Sequence, residues 1–240
     1  MAYELPPIHT KADSIALAVF DAFGGSEAWS ALRYLRFDFG IEDGESKRVF
    51  RKHLWDRHEG QYRVEWTTGS DSAYVVLFNV QTKEGTAYLN GQAVGQEENE
   101  KLVQRGYRGF INDTYWLLAP VKLLDPGVTR LYLPGWSDED NDVITTTYDN
   151  VGLTPDDQFW FWVDKASGKL VRWAYVLEGS EQSAPTIYDW GDYESFVTDA
   201  GTIKFVPRKS GLSGRDLVTD NIAVPPSVED GAFTDPMPNL

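Results

Sequence analysis

The chain has 240 residues, with 37 acidic against 22 basic side chains, and its formal charge of −15 repels nucleic-acid phosphates and anionic membrane surfaces. It contains no cysteine, which removes disulfides, thiolate metal ligands and thiol nucleophiles. Hydrophobic residues make up 42% of it, as in a soluble globular protein, and no run reaches the roughly 20 apolar residues of a membrane-spanning helix.

The opening Met1-Ala2-Tyr3-Glu4-Leu5-Pro6-Pro7 lacks the basic and apolar regions of a signal peptide, so a secretory leader is read as absent or removed and residues 1–9 as an N-terminal arm. Thr10 and Asp13 then have capping-box spacing, and Ile15, Val19, Phe20 and Phe23 recur at helical spacing up to Gly24-Gly25. A short helical turn over Ser26–Leu32 is expected to bury Trp29. From Arg33 the period drops to two. Leu35, Phe37 and Phe39 share one side, and strands at Val49–Arg57, Tyr62–Trp66, Tyr74–Val80 and Gly85–Leu89 extend an antiparallel meander. Asn90-Gly91 marks a two-residue hairpin before Gln92–Gly95.

Glu97–Leu118 returns to helical periodicity. Gly106 and Gly109 predict one interrupted helix or two short ones, ending before Pro120. Strands resume at Val128–Leu133, Val143–Val151, Gln158–Val163, Lys169–Leu177, Pro185–Phe196, Thr202–Pro207 and Leu217–Val224. The tail beyond Pro225, with Pro236 and Pro238, is expected to be irregular and mobile. The order helix, meander, helix, meander predicts an α+β fold, mainly β: a curved antiparallel sheet of about eleven strands wrapped on a helical plug, in a single domain over 1–240.

Catalytic and metal motifs are scarce. Asp138, Asp140 and Asp142 have calcium-loop spacing, but Val143 stands where the loop needs Gly and Asp149 where it needs Glu, so a solvated acidic loop is expected and no metal. His53 and His58, five apart, would point to opposite faces of one strand. No nucleophile elbow, phosphate loop or dinucleotide fingerprint occurs, and no cofactor is expected. Abundant carboxylates leave open a sugar-binding or glycoside-hydrolysing protein, with a pair drawn from Asp56, Asp113, Asp125 or Asp189 facing Trp platforms.

Gly24-Gly25-Ser26-Glu27-Ala28-Trp29 followed by Leu32-Arg33-Tyr34-Leu35-Arg36-Phe37 resembles the opening of bacterial envelope proteins related to the outer-membrane lipoprotein-sorting carriers, the LolA/LolB-like group. His53-Leu54-Trp55-Asp56-Arg57, Asn112 to Pro120, Lys122 to Gly127 and Val151 to Pro155 are similar to further blocks of an uncharacterised branch, so the resemblance spans roughly Ala12 to Phe205. It implies a half-open barrel whose mouth is closed by helices, a hydrophobic cavity for acyl chains, and a periplasmic or cell-envelope setting. The expected function is therefore non-enzymatic binding, and possible carriage, of a lipid, acyl chain or lipoprotein by a monomer without a membrane span or nucleic-acid partner. The nine tryptophans supply large apolar faces for such a cavity. The candidate lining residues are Trp55, Tyr62, Trp66, Phe78, Tyr115, Trp116, Trp160, Trp162 and Trp173, with the helix over Tyr107–Leu118 as a lid. A structural envelope domain whose cavity is filled by its own side chains has the same alternation and stands as a further alternative.

Overall fold

The computed structural model describes residues 3–148, 157–180 and 183–240. Helix α1 (Lys11–Phe23) starts on a reciprocal capping box: the Thr10 hydroxyl accepts from the Asp13 amide at 3.1 Å, and the Asp13 carboxylate accepts from the Thr10 amide at 3.0 Å. Gly24 ends it at φ +147°, where an added Cβ would lie 2.7 Å from the Thr202 carbonyl oxygen, and the chain turns at once into α2 (Gly25–Ala31), which buries Trp29.

A six-strand meander follows: β1 (Tyr34–Asp43), β2 (Ser46–Asp56), β3 (Gln61–Thr68), β4 (Ser72–Asn79), β5 (Gly85–Leu89) and β6 (Gln92–Ala93). Asn90 and Gly91, at φ +49° and +76°, make the two-residue hairpin that their sequence signals. Helix α3 (Gln96–Lys122) crosses from this edge to the opposite one. There a second meander begins: β7 (Val128–Tyr132), β8 (Asn141–Tyr148), β9 (Gln158–Asp164), β10 (Leu170–Val176) and β11 (Thr186–Trp190). A separate hairpin, β12 (Glu194–Thr198) and β13 (Gly201–Phe205), precedes β14 (Arg208–Gly211) and β15 (Arg215–Ala223). β15 pairs with β1, joining the two meanders into one 13-stranded antiparallel sheet that ends at β6 and β7 and does not close into a barrel.

The helices pack on one face of this sheet. One core joins α1, α2 and the C-terminal half of α3 to β1, β9, β10, β11 and β13; a second joins the N-terminal half of α3 to β3, β4 and β5. Alternation assigns the faces: Leu35, Phe37, Tyr62, Val64, Val76, Phe161 and Trp173 point to the helices.

Several expectations need correction. The sheet holds 13 strands instead of about eleven, with two more in the hairpin among the described residues. α3 is one helix of 27 residues, because Gly106 and Gly109 are contact points with the sheet: a Cβ on Gly106 would lie 3.1 Å from Val64 Cγ1, and one on Gly109 2.9 Å from Arg51 Cδ. Pro120 lies inside its last turn, where the missing N–H costs a single bond near an end that frays into tighter turns. Pro185–Phe196 splits into β11 and β12 at Gly191, and Phe196 folds onto Phe205, which itself packs edge-on against Phe23 of α1.

The tail lacks regular structure as expected, yet it is fastened to the outer face. Arg63, fully buried on β3, donates to the carbonyls of Ala232 (3.3 Å), Asp235 (2.8 Å) and Met237, while Glu65 accepts from the amides of Asn239 (3.0 Å) and Leu240 (3.4 Å). The Val151–Pro155 block, the end of the expected Val143–Val151 strand, and Asp149 lie outside the described residues.

Candidate functional site

On the helix side of β2 the alternation places Arg51, His53 and Trp55 in a row facing α3. Asp113 of α3, fully buried, meets them: it accepts from Arg51 Nε and Nη2 (2.9 Å for the latter) and from His53 Nε2 at 3.0 Å. His53 Nδ1 in turn faces the Tyr62 hydroxyl at 2.8 Å, and the ring stacks on Phe37 at 4.5 Å. Burial drives His53 below its ordinary value despite the opposing pull of Asp113, so the ring is neutral. With His53 neutral, the geometry assigns its proton to Nε2, donating to Asp113, with Nδ1 accepting from Tyr62. Arg51 and His53 hold Asp113 below the usual carboxylate range against its burial. This buried relay ties the middle of α3 to the sheet and divides the aromatic surface in two.

On one side of it, Trp55, Tyr62 and Tyr107 surround Phe110, and Phe78 packs on Tyr62 and Tyr107. On the other, Trp116 lies 4.4 Å from Trp173 and edge-on to Tyr188 at 5.4 Å, while Tyr115 packs on Trp173 and Phe159 at 5.3 Å each. Tyr115 and Tyr148 share a 2.6 Å hydroxyl–hydroxyl bond that Thr146 extends at 2.9 Å; burial raises both phenols, Tyr148 to about 12, so both stay neutral. The indole N–H groups of Trp55, Trp66, Trp173 and Trp190 are buried without a hydrogen-bond partner among the described residues. Lys209 of β14 points into the same side, fully buried, donating to the Val206 carbonyl with its ammonium 5.0 Å from the Trp190 ring; desolvation lowers it to about 7.

Between the C-terminal half of α3 and the β7–β8 edge lies a pocket of about 450 Å³. Phe110, Ile111, Thr114, Tyr115, Val128 and Tyr148 line it, and the Lys122–Asp125 ion pair (3.0 Å) with Pro126 forms its rim. Its size is that of a small-molecule site, and its walls are mainly apolar and aromatic.

Of the nine residues singled out in the sequence, Tyr115 lines this pocket directly. Trp116 and Trp173 belong to the packed layer beside it, and Trp55, Tyr62 and Phe78 to the cluster around Phe110. Trp66 stacks on Tyr74 at 5.3 Å and borders a separate groove of about 280 Å³. Trp160 and Trp162 point away from the helices, because they alternate with Phe159 and Phe161; they gather with Trp136, which stacks on Trp160 at 6.1 Å and is 54% exposed. Two faces of one sheet cannot line one cavity. Tyr148, Tyr188 and the His53–Asp113 relay escaped the sequence reading. The i, i+2 series Arg51-His53-Trp55 was the available signal, since charged and aromatic residues there share a face.

The four carboxylates considered for sugar chemistry lie apart, each with its own base: Asp56 with Arg33 (2.9 Å), Asp113 with Arg51 and His53, Asp125 with Lys122, and Asp189 with Arg172 (2.6 Å). Asp138 accepts from the amides of Asp140 (2.9 Å) and Asn141 (2.7 Å), and Asp142 pairs with Lys11 (3.1 Å), so these acids build a turn. β2 ends at Asp56, which leaves His58 in the following turn, against the Ser30 carbonyl at 3.0 Å. No helix among the described residues is long and apolar enough to cross a membrane.

No protein-family profile matches the chain, and no curated protein matches it. Solved structures do. A LolA superfamily protein from Nitrosomonas europaea superposes with a TM-score of 0.48 at 12% identity, over 95% of this chain and 99% of its own. A DUF1329 family protein from Desulfovibrio piger gives 0.45 at 10% identity, over 92% and 94%. A protein domain from Vibrio parahaemolyticus named for outer-membrane lipoprotein sorting gives 0.45 at 10% identity, over 92% and 95%.

Proposed function

We propose that the protein is a non-enzymatic binder of a lipid or another apolar ligand, working in the cell envelope, with one domain over residues 1–240 that acts as a monomer. The observation that carries this reading is the pocket of about 450 Å³ between α3 and the β7–β8 edge, walled by Phe110, Ile111, Tyr115, Val128 and Tyr148 and backed by aromatic packing. An acyl chain entering it would gain about 0.8 kcal/mol per methylene removed from water. Tyr115 and Tyr148, already bonded to each other, leave no strong unpaired charge on the wall, which suits a hydrocarbon. The Lys122–Asp125 pair at the rim would meet the polar end of a ligand. Trp116 and Trp173 supply the rigid backing, and carriage between membranes is the natural extension.

Ile111 is half-buried at the margin of the second core and lines the pocket, so it is the place to block it. Ile111→Trp is expected to weaken binding of a fluorescent fatty acid by about tenfold, a loss of roughly 1.4 kcal/mol, with little change in unfolding midpoint. Unchanged affinity in that titration would remove the pocket from the account.

A further inference from the structure

Arg57, just past β2, is a largely desolvated cation without a carboxylate partner among the described residues. Its Nη1 donates to the carbonyls of Trp29 (2.7 Å) and Leu32, its guanidinium lies 3.4 Å from the Trp29 ring centroid, and its Nε is buried with no acceptor. Carbonyl dipoles and a ring face stabilise a cation but do not neutralise it. The contrast with other shielded arginines is plain: Arg36, Arg51, Arg63 and Arg130 each carry a carboxylate, from Asp38, Asp113, Glu65 and Asp13. Asp125 acts on Arg57 only through space and is paired with Lys122. Burial without a counter-ion lowers Arg57 to about 10, a cost that folding bears and that a bound anion would return.

Arg57 also borders a cleft of about 560 Å³ formed by the arm from Tyr3 to Pro7, Ser30, His58, Gln81 and Leu124. Glu4 is the carboxylate among its lining residues; it is exposed and makes no bond to Arg57. Gln81, an exposed residue of the cleft wall, brings a side-chain amide that can donate to an anion there.

We propose that this cleft is an oxyanion site in which Arg57 receives a carboxylate or phosphate group, with the Gln81 amide as a second donor. The group arrives either as a free ion or as the head of an amphiphile; the recognition chemistry is the same, the charge of the Arg57 guanidinium met by an oxyanion. The cleft meets the pocket beside α3 at Pro126, which lines both, but Arg57 and Gln81 line the cleft alone.

The test follows the Arg57 Nε–H and Gln81 side-chain amide resonances by ¹⁵N NMR in the intact protein. Inorganic phosphate is titrated against chloride at matched ionic strength, and decanoate against decanol. Saturable shifts with phosphate identify a free-ion site. Shifts with decanoate, bound about tenfold or more tighter than decanol, identify a head-group site. No saturable shift with either anion, or equal binding of decanoate and decanol, overturns the proposal. Arg57 holds α2 in place, so the informative variant is Gln81→Glu, which puts a repelling charge on the cleft and leaves Arg57's bonds intact. It is expected to weaken whichever anion binds by about tenfold at an unchanged unfolding midpoint, and unchanged anion affinity would likewise overturn the assignment. Ile111→Trp is expected to leave the anion titration as it is, which separates failure of this site from failure of the apolar pocket.

Discussion

Asp113 and His53 show how one buried contact can set both architecture and pH response. His53 is driven below the ordinary 6.5, so below that pH the unfolded chain takes up a proton that the native ring refuses, and stability falls as the solution is acidified. Urea midpoints measured between pH 7.5 and pH 5 should drop in the wild type and drop less in His53→Gln; identical slopes would mean that another group governs this window. Asp113→Ala strands Arg51 without its counter-ion and is expected to cost about 3–5 kcal/mol in the same assay. Lys209 acts in a different window. Lowered to about 7 from 10.5, it is neutral in the fold while the unfolded chain stays protonated, so stability rises with pH from about 7 to 10.5. Lys209→Met should flatten that rise and add about 1 kcal/mol or more at pH 7. A variant that is less stable there would show that the ammonium is structurally required.

The elements explain which parts of the sequence were readable. Period-two alternation exposed β1 to β5 and β8 to β10, because Leu35-Phe37 or Phe159-Phe161 can share a face only on an extended chain. The Thr10 box and the Asn90-Gly91 turn were equally legible, as each is closed by local bonds. Alternation could not say which face of β9 meets the helices, since Trp160 and Trp162 are as bulky as Phe159 and Phe161. Nor could local propensity foresee an unbroken α3. Its glycines serve contacts with Val64 and Arg51, which lie more than 40 residues away. Gly106→Val tests this: helix propensity alone makes the change mild, whereas a side chain against Val64, Val76 and Phe78 should cost about 2 kcal/mol. A neutral result would mean that α3 sits farther from the sheet.

At the scale of the whole molecule, β15 against β1 turns two meanders into one sheet, and α3 spans it from edge to edge. This arrangement leaves the pocket between α3 and the β7–β8 edge as the space in which an apolar ligand would lie. The site was only partly legible: Tyr115 belongs to it, but Tyr148 and Val128 join it through contacts that the helix and the second meander create together. The central claim, that this space holds an apolar ligand, is met most directly by native mass spectrometry of the purified protein coupled to solvent extraction and lipid analysis. The expected result is a bound lipid or fatty acid near one per chain, lost from Ile111→Trp. A clean apo mass that takes up no added fatty acid would contradict it and leave a sheet packed only on its own side chains.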